Sequence, residues 1–492
     1  MSSSNPLKLP EILSHVGKFV PLNHLPSCVL VSQAWRHAFT PYIWRHIVLD
    51  EVKPHLPETT HANSHLVKRI DFKCSVLQEH VALSYPNLES LHLTGQKQNK
   101  NSLKLILQHP TLTRLQLEHL WSDYQSAFWD QLLEFRYLRD LTLANVTVGE
   151  EDVDKFWQFC TQLERLDFRL IWSNQGNLSS MEFPCLKEIK IRLARTNEVP
   201  LSLEMIERCP NLRSLHWGIN EREGDKQFVA RVVQLITSGT WPELESIDSE
   251  SYNLTNNDLS QIMAGMAQIK VLNIGCSWDA FGRNSTDLLR PHFSGLKELR
   301  LGFSITETGP LGQEIMSSCP LLEKLTVPRI NAVDIVRGPP WVCLRLKQLS
   351  AKFCFHPKSV ELLQPLVFDR LSKLIRLEDL CIDKISDDSL LIKLHLQETF
   401  DLRLVRGLGK LSTLRSLCVL SFLDTEQSMG QEEVDWMLKH WTSLADISGT
   451  FNMSEPRFDA KLRERLEDRG IRTKGSENLD TDEESQWDEE SI

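Results

Sequence analysis

Five basic residues are the first candidates for chemistry. Arg165 and Arg169 sit four apart in one segment, Lys190 and Arg192 two apart in a similar one, and Arg114 holds the matching place in an earlier one. Residues two apart in an extended chain point to the same face, so these cations would be presented together. A guanidinium holds a carboxylate or phosphate through two parallel bonds. The five are therefore candidate contacts for an acidic or phosphorylated protein segment. Asp167 and Glu188 lie among them and offer internal pairing instead. Catalytic patterns are missing. A phosphate-binding loop at Gly407-Leu-Gly-Lys410 would need glycine at 404 and a hydroxyl at 411, and both positions are leucine. His61 and His65 could share a helix face, but no cysteine or acidic pattern supports them as metal ligands. No His-Glu-x-x-His or Gly-x-Ser-x-Gly string occurs. The expectation is a protein that is not an enzyme, with no catalytic residues, no metal and no cofactor.

The elements that must position such residues are set by the whole chain. It has 492 residues, 41% apolar and 25% charged, an ordinary globular mixture that excludes collagen-like or wholly disordered chains. Its first residues lack a basic start followed by an apolar core, so no secretory signal is expected. No run approaches 18 apolar residues, so no membrane helix is expected. Net charge is −11, and residues 476–492 carry eight carboxylates with no Lys or Arg. The remainder is nearly neutral, which predicts no general affinity for nucleic acid or for an anionic membrane. Eleven scattered cysteines without a Cys-x-x-Cys pair suggest reduced thiols in the cytoplasm or nucleus.

A short unit, apolar-x-x-apolar-x-apolar, recurs about fifteen times. Copies start at Val67, Leu88, Leu112, Leu138, Leu163, Leu186, Leu212, Leu244, Ile269, Leu296, Leu322, Leu346, Leu377, Leu414 and Leu444. Most starts are 21 to 27 residues apart, inside the range of leucine-rich repeats. The last two apolar positions face one side of a strand and the residues flanking them face the other. Upstream stretches such as Asp152–Phe159, Ser202–Cys209 and Leu259–Met266 have helical spacing. Several stop at a proline (Pro86, Pro110, Pro210, Pro320), which disfavours helix in the residue before it. The fold class predicted is α/β: a leucine-rich-repeat solenoid, a horseshoe with parallel strands on its concave face and helices on its convex face. Wider spacings predict longer loops, as at Glu221–Gly239 and Ser386–Leu402. Asp248, Glu250, Asp379 and Asp383 make a second, acidic stretch of strand positions, suited to a basic partner or simply to solubility. Most tryptophans are expected in the core, with Trp121 and Trp172 as candidate exposed anchors.

Residues 1–50 follow another pattern: short helices punctuated by Pro10, Pro21, Pro26 and Pro41. Ile12, Leu13, Val16 and Phe19 form an apolar stripe. Leu9-Pro10 with Leu13, Val31 with Trp35, and Ile43-Trp44 follow one another in order. This segment resembles an F-box, in a form similar to the fungal version, although Ser32 replaces the usual cysteine and Gln33-Ala34 the usual basic pair. The resemblance covers about 40 residues and implies a three-helix F-box ahead of the repeats. It further implies a substrate receptor of an SCF-type cullin–RING ubiquitin ligase, with Leu9, Pro10, Ile12, Leu13, Val16, Val31, Trp35, Ile43 and Trp44 facing a Skp-type adaptor. On this reading the repeats hold a protein substrate for ubiquitin-dependent degradation. The alternative is a free-standing repeat scaffold or inhibitor whose N-terminus is only a helical cap. An exposed apolar patch along Leu9, Pro10 and Leu13 is what the first reading expects.

The expected domains are an F-box at 1–50, a linker at 51–65, the solenoid at 66–450, a closing cap at 451–475 and an acidic disordered tail at 476–492. In the cap, Leu462 and Leu466 are four apart in a helical stretch; in the tail, Thr481 and Ser485 each precede an acidic residue by three.

Overall fold

The computed structural model describes residues 9–20, 22, 24–49, 57–73, 78–94, 100–118, 125–148, 152–172, 178, 181–193, 198–219, 222–251, 253–274, 283–302, 308–356, 358–382, 400–423, 425 and 427–475. The chain is α/β, with parallel strands alternating with helices. It divides into two compact units, Met1–Gly224 and Asp225–Ile492. Among the described residues no helix is long and apolar enough to cross a membrane.

The first unit opens with three helices, α1 (Pro10–Gly17), α2 (Leu25–Val29) and α3 (Gln33–Trp44). Eight strands follow: β1 (His46–Leu49), β2 (Arg69–Phe72), β3 (Ser90–Leu93), β4 (Arg114–Glu118), β5 (Asp140–Val148), β6 (Arg165–Trp172), β7 (Glu188–Leu193) and β8 (Ser214–Ile219). Each pairs in parallel with its neighbour in sequence. The register aligns the repeat: Ile47, Ile70, Leu91, Leu115, Leu141, Leu166, Ile189 and Leu215 form one row, all buried. A second buried row runs from Leu49 through Phe72 and Phe168 to Trp217. Full burial of such a side chain is worth about 1.5–3 kcal/mol, so the inward rows dominate the unit's stability. The residue before each strand offers its carbonyl twice. Lys68 O accepts from Glu89 N and Ser90 N (2.8 and 2.9 Å), and Glu89 O from Thr113 N and Arg114 N (2.9 and 3.0 Å). Side chains also tie repeats together, with Asn87 Nδ2 donating to His65 O at 2.6 Å and Asn211 Nδ2 to Pro184 O at 2.8 Å.

The second unit repeats the plan with nine strands: β9 (Ser246–Ser249), β10 (Val271–Ile274), β11 (Glu298–Leu301), β12 (Lys324–Asn331), β13 (Gln348–Cys354), β14 (Asp379–Cys381), β15 (Val419–Ser421), β16 (Asp446–Ser448) and β17 (Arg472–Lys474). The inward row runs Ile247, Leu272, Leu299, Leu325, Leu349, Leu380, Leu420 and Ile447.

All fifteen repeat units read from the sequence fall on β2 to β16, one strand each. Two strands lie outside them. β1 sits within residues 1–50 and β17 within the expected cap, each bonded to the neighbouring repeat. The stretch expected as a linker contains a helix, Pro57–Asn63, and a turn of 3-10 helix, Ser64–Leu66. The loop expected at Glu221–Gly239 is instead a 16-residue helix, Arg222–Thr237, because Phe228, Val229, Val232, Val233 and Ile236 give it an inward face. Most of Ser386–Leu402 lies outside the described residues, as do Trp121, Asp383 and the tail with Thr481 and Ser485. The C-terminal helix forms over Pro456–Glu467 with Leu462 and Leu466 inward. Its buried Asp459 accepts from the backbone N–H groups of Phe451 and Asn452 (2.6 and 3.2 Å) and from Arg463 Nε (2.7 Å). Trp129, Trp157, Trp217 and Trp241 are all buried.

Candidate functional site

Two surfaces of the first unit stand out, one apolar and one cationic. The first is α1. It starts at Pro10, where a missing N–H costs nothing, and Leu13 N donates to Leu9 O at 3.1 Å. Only Leu13 and Gly17 of this helix are buried. They are four apart and therefore share one face. Leu13, Leu25 and Phe39 form the core of the three helices, and Val20, Cys28, Val29, Trp35, Ala38, Tyr42 and Ile43 pack around it. Gly17 lets α1 approach α3 closely. A Cβ there would stand 2.6 and 2.7 Å from two carbons of the Tyr42 ring and 3.2 Å from Phe39. Ser32, in the place of the usual cysteine, caps α3 by accepting from Trp35 N at 3.2 Å.

The flank of α1 beside that face is also apolar. Leu9 (47% exposed), Ile12 (41%), Val16 (36%) and Phe19 (73%) stand at i, i+3, i+7 and i+10 and meet solvent. Leu22, Leu30 and Val31, which follow α1 in the chain, are exposed as well. Seven of the fifteen exposed large apolar side chains among the described residues thus fall between Leu9 and Val31, a concentration that singly scattered surface residues do not give.

The candidate adaptor contacts therefore separate. Leu9, Pro10, Ile12, Val16 and Val31 are on the surface, whereas Trp35, Ile43 and Trp44 are half-buried. The expected exposure of Leu13 is corrected: at 1% it belongs to the core that joins the helices, because it shares the inward face with Gly17. Phe19, Leu22 and Leu30 are surface residues that the motif did not single out, although the helical spacing of Phe19 pointed to it.

The second surface is a cleft of about 470 Å³ across the open side of the sheet, where Leu22 and Tyr42 of the helical segment meet the starts of β1 to β6. Its lining includes six cations, Arg45, Lys68, Arg69, Arg114, Arg139 and Arg165, and two carboxylates, Glu89 and Asp140. Asp140 takes both Arg114 (Nε to Oδ2, 2.6 Å) and Arg165 (Nη2 to Oδ2, 3.0 Å), and Lys68 pairs with Glu89. Arg69 donates to the nearly buried Asp71 through Nε and Nη2 (2.9 and 3.1 Å), and His46 Nε2 lies 2.7 Å from the same carboxylate. Burial alone would raise the Asp71 carboxyl. The bonds from Arg69 and His46 outweigh it and hold the group below its ordinary value. Arg139 donates Nη1 to the carbonyls of Arg136 and Leu138 (2.9 and 2.8 Å). Among the described residues neither Arg139 nor Arg45 has a carboxylate within 4 Å.

Of the five basic residues singled out from the sequence, Arg114 and Arg165 line this cleft. Lys190 faces Asp167 across the register at 3.9 Å, so part of the internal pairing is realised. Burial raises the Asp167 carboxyl, against the lowering effect of Lys190, Arg192 and His216. Arg169 and Arg192 stand one outward position further along β6 and β7, outside the cleft lining, and both have interaction partners. Lys68 and Arg69 lie in the repeat copy that starts at Val67, and Arg45 and Arg139 stand just before β1 and β5; the sequence reading singled out none of the four. Compared with models of protein families and with curated proteins, the sequence matches none.

In the second unit, another polar cleft of about 400 Å³ crosses β11 to β14, with Arg300 and Lys324 balanced by Glu298 and Asp379. Among the described residues no three His, Cys, Asp or Glu side chains gather as metal ligands would.

Proposed function

We propose that the chain is the substrate-recognition subunit of an SCF-type cullin–RING ubiquitin ligase. On this reading α1 to α3 are an F-box that binds a Skp-type adaptor, and the strand–helix units are leucine-rich repeats whose open sheet face holds a protein substrate. The observation that carries it is the outward stripe of α1. A helix that only capped the sheet would need one apolar face, and Leu13 with Gly17 already supplies it. The second stripe, Leu9, Ile12, Val16 and Phe19, has no use in that role, and clustered apolar anchors are what a partner interface needs. Such a subunit carries out no bond chemistry. It raises the local concentration of substrate at the ligase.

The test is calorimetric titration of the full chain with a purified Skp-type adaptor. Submicromolar binding is expected. An Ile12→Asp/Val16→Asp variant, altered only on the outward face, is expected to lose it while keeping its circular dichroism spectrum. No binding by a folded wild-type chain would return the three helices to the role of a cap and the protein to that of a free-standing scaffold.

A further inference from the structure

We infer that the cationic cleft of the first unit binds an extended protein segment carrying two phosphorylated side chains about six residues apart. This deepens the substrate-receptor reading and rests on it for the role of the bound segment, though the binding itself does not require the adaptor.

Charge comes first. The lining has four more cations than carboxylates, and Asp71 behind it neutralises one, Arg69. The remaining surplus of about three positive charges matches two phosphoryl groups, which carry about −1.5 to −2 each near pH 7. Position comes next. Arg45 and Arg139, the two arginines of the lining with no carboxylate within 4 Å among the described residues, each occupy the residue just before a strand, β1 and β5 respectively. They are separated by four strand spacings, about 19 Å. An extended chain covers that distance in about six residues, an even number, so both modified side chains would point to the same side. Arg45 offers the planar fork that phosphate accepts bidentately, and Arg139, whose Nη1 is held by the carbonyls of Arg136 and Leu138, offers its Nε–Nη2 edge.

The carboxylates decide against a continuous polyanion. Glu89 and Asp140 interrupt the cationic rows and would repel an unbroken phosphate backbone, whereas a peptide with phosphates only at its ends passes over them. Tyr42, the aromatic ring in the lining, spends its hydroxyl on the carbonyl of Ser14 and packs against the helical core. With Leu22 it forms an apolar wall that suits a side chain neighbouring one phosphate.

The test uses the full chain and fluorescein-labelled degenerate octapeptide pools, with serine or phosphoserine fixed at positions two and eight. Anisotropy titration is expected to show the doubly phosphorylated pool binding at least about tenfold more tightly than the unphosphorylated one. Arg45→Glu and Arg139→Glu should each weaken it by about tenfold. Both side chains are exposed, and circular dichroism checks that the fold survives. Equal binding of the two pools, or binding untouched by both reversals, overturns the inference. So does a single-stranded 20-nucleotide RNA that binds as tightly and is lost in the same variants, since the cleft would then be a nucleic-acid surface. Adaptor titration of the same preparations separates the two proposals: peptide binding without adaptor binding sinks the ligase reading and leaves the cleft standing.

Discussion

Replacing Gly17 by alanine sets two principles against each other. Alanine is the better helix former by up to about 1 kcal/mol, so propensity alone predicts a more stable α1. The packing predicts the reverse. The new Cβ would lie 2.6 Å from one Tyr42 ring carbon and 2.7 Å from another, where ordinary contact is nearly 1 Å longer. The ring cannot swing clear without disturbing its hydroxyl bond to Ser14 and its packing on Phe39. Overpacking of this kind costs about 1–3 kcal/mol, so the net change is a loss of about 0.5–2 kcal/mol. It falls on a segment whose fully buried core, among the described residues, is Leu13, Leu25 and Phe39. Hydrogen exchange read by mass spectrometry over residues 10–44 should therefore accelerate by about 2- to 30-fold. Exchange in the strands of the first unit should stay unchanged. Slower or equal exchange in 10–44 would refute the close approach of α1 to α3 and the inward assignment of Leu13 and Gly17.

Three further outcomes are expected. Arg69 and His46 hold the Asp71 carboxyl below its ordinary value in the folded chain, against the raising effect of burial, so its contribution is present above the unfolded value and is lost as pH falls below about 4. Asp71→Asn should accordingly flatten the decline of urea midpoints between pH 5 and 3, and an unchanged slope would refute this. Cys160 and Cys209 are buried with their thiols pushed up by desolvation, and Cys319 and Cys343 are pushed to about 12. Iodoacetamide at pH 8 should label the exposed Cys185 in the native chain and reach those four only after denaturation, as peptide mapping would show. Thr255 caps the helix Asn256–Gly265, with its hydroxyl accepting from Asp258 N at 3.2 Å and its N–H donating to Asp258 Oδ2 at 3.0 Å. Thr255→Ala should destabilise the second unit by about 0.5–2 kcal/mol in urea titration.

The repeat was legible because each unit has three positions that must all be apolar at fixed spacing, and fifteen copies held the phase. Trp44, Ile47 and Leu49 have the same spacing and mark β1. The signal was present but was absorbed into the F-box ending. β17 could not be read, since Arg472-Thr473-Lys474 has no leucine and becomes a strand by pairing with β16. The helix Arg222–Thr237 stands where wide spacing predicts a loop, because the apolar run from Phe228 to Ile236 gives it an inward face. About two more helical turns account for the extra residues. At the site, periodicity could tell that α1 is apolar, but not that it is apolar on two faces with Leu13 on the inner one. That depends on where Tyr42 and Phe39 lie. The cleft was only half legible for a similar reason. Arg114 and Arg165 hold matching places in their repeats, while Arg45 and Arg139 gain their significance from having no carboxylate within 4 Å among the described residues, which spacing does not show.

Within each unit every strand bonds only to the strand before it and the strand after it. Partners across the sheet are therefore 21 to 40 residues apart in sequence, however many strands the unit contains. The chain entropy lost in closing each contact stays that of a short loop. Such locality favours rapid folding at a given size and lets order spread from any pair of strands that forms first. A destabilised repeat then opens a local gap instead of unfolding its whole unit, and a complete strand–helix module could be removed or duplicated without rerouting the rest of the chain.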